Sequence, residues 1–200
     1  MIYLDYTANT PADPDVLDAY LAAERRYIAN PNSTHIAGQE ARAEMERVTQ
    51  SIAQHLGVQP AEIIYTSGAS EANNLALKGV SQARGVAGGH IITSQIEHKA
   101  ILDTARQLEE AGVAVTYLAP DAEGLITAQA VREALRDDTF LVSLMLVNNE
   151  LGTVNDIPAI GQRVREHGAL FHVDAAQGAG KVTIDLAHWP VDLMSFSAHK

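Results

Sequence analysis

The run Asp192-Leu193-Met194-Ser195-Phe196-Ser197-Ala198-His199-Lys200 places a serine, a histidine and a lysine after a short apolar strand pattern. Upstream, Leu170-Phe171-His172-Val173 delivers Asp174 and then Gln177. A lysine that loses its proton on burial can attack an aldehyde. A carboxylate facing a pyridine nitrogen keeps that nitrogen protonated and makes the ring an electron sink. A lysine and an acid, each at the end of a buried strand, together suit pyridoxal phosphate.

Other segments supply complementary groups. Ser67-Gly68-Ala69-Ser70 is a small-residue turn entering a helix, where backbone N–H groups and the helix dipole favour an anion such as phosphate. Its plain alternative is a serine cap after a glycine turn. Gln177 can donate to a ring phenolate oxygen, or serve as an ordinary capping amide. His98, at the start of a helix, can stack on a ring or move a proton near neutral pH; elsewhere such a histidine is half-exposed and structural. Asn148 and Asn149 either close a turn or hold a cofactor or substrate oxygen. A metal reading of His172-x-Asp174 is disfavoured, because the chain has no cysteine and no His-x-x-x-His pair.

These groups need a scaffold that gathers them. Asp13-Pro14 reads as a helix start, with Val16, Leu17, Tyr20 and Leu21 on one face. Ala41, Met45, Val48, Ile52 and Leu56 form the stripe of a long helix that stops at Gly57. From there strands are predicted at 63–66, 90–93, 113–118, 141–147, 170–173 and 192–196. Helices are predicted between them at 70–83, 98–110, 127–135 and 158–167. The alternation implies an α/β fold, a mostly parallel sheet with helices on both faces. Ligands of such sheets bind at the C-terminal strand ends, where five predicted strands deliver the polar groups above.

Composition bounds the remaining possibilities. Two hundred residues suffice for one substantial domain. A net charge of −11, from 25 acids against 14 Lys plus Arg, opposes a nucleic-acid surface and an anionic membrane surface. There is no cysteine, hence no disulfide framework, and the N-terminus has no signal-peptide pattern. No apolar run reaches the roughly eighteen residues that suggest a membrane span. The expectation is a soluble cytoplasmic protein.

In this order, the segments resemble the class V aminotransferase family, and within it the cysteine desulfurases of the nitrogen-fixation and iron–sulfur-cluster type. The resemblance rests on Tyr3-Leu4-Asp5, Asn30-Pro31-Asn32-Ser33 with His35 and Gly38, Ser67 to Asn74, Glu97-His98, Asn148-Asn149-Glu150-Leu151-Gly152, His172 to Gln177, and Ser195 to Lys200. It implies the large domain of aminotransferase fold type I over residues 15–200, preceded by an N-terminal arm at 1–14. Lys200 is then the covalent attachment point of pyridoxal 5'-phosphate and the catalytic proton shuttle. Ala69, Ser70, Ser197 and His199 hold the phosphate end. Asp174 meets the pyridine nitrogen, Gln177 the phenolate oxygen and His98 the ring face, while Asn149 lies near the ring oxygen and the substrate carboxylate. His98 also helps deprotonate the substrate thiol.

The implied reaction moves sulfur from L-cysteine to an acceptor and releases L-alanine, for iron–sulfur cluster or thio-cofactor synthesis, in a homodimer that can dock a sulfur-acceptor protein. Two departures stand out. Ser70 replaces the usual threonine, and the chain covers about half of a family member. The nucleophilic cysteine, the carboxylate-binding arginine and most of the small domain are expected beyond residue 200. Selenocysteine lyase or small-amino-acid aminotransferase chemistry on the same scaffold is the first alternative. A catalytically silent interaction scaffold is the second.

Overall fold

A computed structural model describes residues 2–85 and 88–200. The chain divides into two compact units, one holding Met1–Tyr65 with His199 and the other Thr66–Ala198 with Lys200.

The first unit is built on two helices. In α1 (Pro14–Arg26), Asp13 caps the N-terminus by accepting from the Asp15 N–H, and Pro14 occupies the first turn. No α1 residue is buried. α2 (Ile36–Leu56) begins at His35, whose Nδ1 accepts from the Gly38 N–H, and ends at Gly57 in the left-handed conformation. A short 3₁₀ turn, Pro60–Glu62, follows. The strand predicted at 63–66 does not form. Ile64 and Tyr65 are exposed, and no strand among the described residues pairs with them, so the run is extended chain.

The second unit carries the sheet. Its elements are α3 (Ala69–Ala83), β1 (His90–Ser94), α4 (Lys99–Glu110), β2 (Ala114–Leu118), α5 (Ala128–Ala134), β3 (Thr139–Met145), α6 (Ile157–His167), β4 (Leu170–Asp174) and β5 (Leu193–Ser195). All pairings are parallel and the strand order is β2-β1-β3-β4-β5. The helices divide between the faces. Ile92, Val142, Leu144, Phe171 and Val173 pack with α5 and α6 residues Val131, Ile157, Ile160 and Val164. Ile91 and Leu141 pack with α3 and α4 residues Leu77, Ile101, Ala105 and Leu108. Successive strand residues point to opposite faces, so both faces of β1 and β3 are apolar, which explains why their sequences show no alternation.

The strand order also locates a crevice. The chain leaves β1 toward β2 on one side and returns to β3 on the other, so the C-terminal ends of β1 and β3 flank the topological switch point. No helix among the described residues is long and apolar enough to cross a membrane.

Candidate active site at the C-terminal strand ends

Four of the five strand ends expected to carry site residues, those of β1, β3, β4 and β5, form on this rim, and in place of the strand expected at 63–66 the polar groups come from the N-terminus of α3. Gly68 is the N-cap of α3, with φ +157 and no side-chain cap bond. The first-turn N–H groups of Ala69 and Ser70 therefore lack a capping side chain, unlike those of α1, α4, α5 and α6. Ser67 spends its own N–H on Glu71 Oε2, at 2.5 Å.

Asp174 ends β4 and is 5% exposed. Its Oδ2 accepts from Asn73 Nδ2 of α3 at 2.7 Å, and its Oδ1 from the Ala176 N–H at 2.9 Å. Among the described residues it forms no ion pair. A buried carboxylate held by neutral donors remains able to take a cationic N–H. Gln177, in the turn after Asp174, is also buried.

Two residues back on the same face of β4, His172 is fully buried. Its Nδ1 lies 2.9 Å from Ser143 Oγ on β3 and its Nε2 2.9 Å from Ser195 Oγ on β5. Burial pushes the imidazole down to about 4, against a smaller opposing pull from Asp174, so the ring is neutral at pH 7. It acts as a polar strut between β3 and β5 on the face of β4 that also carries Asp174.

His98 caps α4, its Nδ1 accepting from the Ala100 N–H at 3.1 Å. The neutral ring with this cap carries its proton on Nε2, which is then a donor. Taking a proton at Nε2 requires the other tautomer and loss of the cap. The adjacent Glu97 is 6% exposed. Its Oε1 accepts from Ser94 Oγ at 2.6 Å and from the Met145 N–H at 3.2 Å.

The two asparagines divide their roles. Asn148 is buried and structural: Nδ2 donates to the Ile96 carbonyl at 2.8 Å, and Oδ1 accepts from the N–H groups of Glu150 and Leu151. Asn149 is half-buried beside it. On β5, Ser195 pairs in register with Asp174, and the buried Ser197 and half-buried Lys200 follow. His199 belongs to the other compact unit. Its carbonyl accepts from the Thr10 N–H and Oγ1, both at 3.2 Å, and its Nδ1 lies 3.2 Å from Asn9 Oδ1.

Ala69, Ser70, His98, Asn149, Asp174, Gln177, Ser197 and Lys200 thus lie in one unit, each at or beyond a strand end or at the α3 N-terminus. Sequence reasoning gave no role to Asn73, Glu97 or the His172 strut. The signal for the strut was available, since His172 and Asp174 share a parity on one strand.

Residues 2–200 match the aminotransferase class-V family. The chain is 55% identical over its whole length to cysteine desulfurase IscS of Azotobacter vinelandii and 54% identical to that of Pseudomonas syringae pv. tomato, covering 50% of each. It therefore spans about half the length of these relatives. Among solved structures, SspA in complex with cysteine superposes with a TM-score of 0.94 at 46% identity, over 98% of this chain and 57% of that one. The apo cysteine desulfurase of Thermococcus onnurineus superposes at 0.91 with 28% identity, over 100% of this chain and 50% of that one. With a match along nearly every residue and a shared parallel-sheet architecture, the chain belongs to the aminotransferase class-V family.

Proposed function

We propose that this chain is the cofactor-binding part of a pyridoxal-phosphate-dependent cysteine desulfurase, which moves sulfur from L-cysteine to an acceptor and releases L-alanine. The family is one of pyridoxal phosphate enzymes, and curated relatives at about 55% identity carry that activity in their names. The observation that carries the reading is Asp174: a buried carboxylate at a strand end, held by two neutral donors and paired with no cation among the described residues.

The residues present fit the cofactor. The uncapped first turn of α3 at Ala69 and Ser70, with Ser197, would hold the phosphate. Asp174 would hold a proton on the pyridine nitrogen, fixed in place by Asn73 and the Ala176 N–H. Gln177 and Asn149 would orient the ring oxygen, and His98 would cover the ring face. Bound there, the cofactor supplies an electrophilic carbon and an electron sink for the substrate Cα. Lys200 would hold it covalently and, once released, move the proton at Cα. The Nε2 proton of His98 makes it a donor first, so acceptance of the substrate thiol proton costs it the Ala100 cap.

Residues 15–200 are read as the large domain and 1–14 as its arm, in a cytoplasmic homodimer serving iron–sulfur cluster or thio-cofactor synthesis. The chain has no cysteine, so the sulfur-accepting nucleophile lies outside these 200 residues. The test is alanine and sulfide formation from L-cysteine by the full-length protein. Equimolar products under reducing conditions support the reading; alanine made only by amino transfer from another donor overturns it.

A further inference from the structure

We propose that Glu97 is a positioning residue that acts as an uncharged carboxylic acid, fastening the His98-bearing loop to the end of β3 beside Asp174. The proposal rests on the pyridoxal phosphate reading for its consequence, though not for its geometry.

Glu97 sits where the sheet reverses strand order. Its Oε1 accepts at once from Ser94 Oγ, at the end of β1, and from the Met145 N–H, at the end of β3. It therefore laces together the two strands that flank the switch crevice. Asn148 Nδ2, bonded to the Ile96 carbonyl, ties the same loop to the same strand end. The other oxygen, Oε2, is buried and has no hydrogen-bond partner among the described residues. No Lys, Arg or His pairs with the carboxyl among the described residues.

An anion in that position would have two neutral donors, both on one oxygen, and no cation among the described residues. Both bonds converge on one oxygen, as they do on the carbonyl of an acid whose other oxygen carries the proton. Met145 is the register partner of Asp174, so a second carboxylate stands at the neighbouring strand end and disfavours the Glu97 anion. Burial, reinforced by Asp174, raises the Glu97 carboxyl to about 8, against the lowering effect of its two hydrogen bonds. His172, the other titratable group on that face of β4, is neutral and adds no balancing charge. In the crevice, an uncharged Glu97 leaves Asp174 as the single negative charge available to the cofactor nitrogen. It also fixes the residue immediately before His98 without competing for that nitrogen.

The experiment compares Glu97→Gln and Glu97→Ala in the full-length protein. Gln keeps the accepting oxygen and replaces O–H with N–H, so Glu97→Gln should take up cofactor as the parent does. Glu97→Ala should bind it about tenfold more weakly, because the Ser94 and Met145 donors lose their partner. The parent's cofactor absorbance should change as pH rises through about 8, where Glu97 ionises beside Asp174, and Glu97→Gln should lack that step. A Glu97→Gln protein as impaired as Glu97→Ala, or one that keeps the alkaline step, overturns the proposal. If the parent takes up no cofactor, the pyridoxal phosphate reading fails and thermal melting of cofactor-free protein decides on Glu97. The parent should lose stability relative to Glu97→Gln between pH 4.5 and 8, and parallel curves overturn the assignment.

Discussion

The side-chain amide of Asn73 donates to Oδ2 of Asp174 across 2.7 Å, joining α3, whose first turn holds Ala69 and Ser70, to the end of β4. Both residues are buried, so one bond links the segment read as the phosphate cradle to the acid read as the partner of the ring nitrogen. Asn73→Ala should lower stability by about 2 kcal/mol, the usual cost of removing a buried hydrogen bond to a charged group. Asn73→Asp should cost more, by placing a second acid against Asp174. Urea unfolding of the two variants checks both the size and the order.

Stability should show opposing pH slopes from two buried groups. His172 has its ionisation lowered by burial from 6.5 to about 4, so the unfolded chain binds a proton in that window that the folded one refuses. Its contribution is present above pH 6.5 and lost as pH falls toward 4. Glu97 is raised from 4.5 to about 8, so its contribution is present below 4.5 and lost as pH rises through 8. The expected profile falls on both sides of a plateau between about pH 4.5 and 6.5. His172→Gln should flatten the acid limb and leave the alkaline limb intact, as melting curves across pH would reveal.

Gly161 lies in α6 where the helix meets the segment leading to β5. A Cβ there would stand 2.6 Å from the Pro190 carbonyl oxygen and 3.0 Å from Phe171 Cδ1. Backbone and a buried ring cannot both move aside. Gly161→Ala should therefore destabilise by roughly 1–3 kcal/mol despite the better helix propensity of alanine. Gly112→Ala, where a Cβ meets nothing within 4 Å but φ is +96, should cost less and act through backbone strain alone. Chemical denaturation distinguishes the pair.

The sheet and its helices were legible because their signals are local. Asp13-Pro14, Thr127 and Gly168 act as boundary residues where sequence placed them. The buried runs at 141–147 and 170–173 became β3 and β4, shifted by one or two residues. Ile63-Ile64-Tyr65 misled, because strand propensity describes a residue that has a partner strand and this segment has none. The supporting layer of the site was hidden for a related reason. The bonds of His172 to Ser143 and Ser195 join positions 29 and 23 residues away, and that of Asn73 to Asp174 spans 101. The parallel register brings the His172 partners together, and the packing of α3 against the sheet brings Asn73 to Asp174. Asn148 and Asn149 looked equivalent in sequence, whereas the turn they enter consumes one amide and leaves the other half-buried at the rim.

The attachment of the cofactor to Lys200 tests the central claim most directly. Full-length protein loaded with pyridoxal phosphate would be reduced with borohydride, digested and mapped by mass spectrometry. The account predicts the reduced cofactor on the peptide containing Lys200, and loss of both the adduct and the visible absorbance band in Lys200→Ala. An adduct on Lys78, Lys99, Lys181 or another lysine, with the band intact in Lys200→Ala, would contradict it.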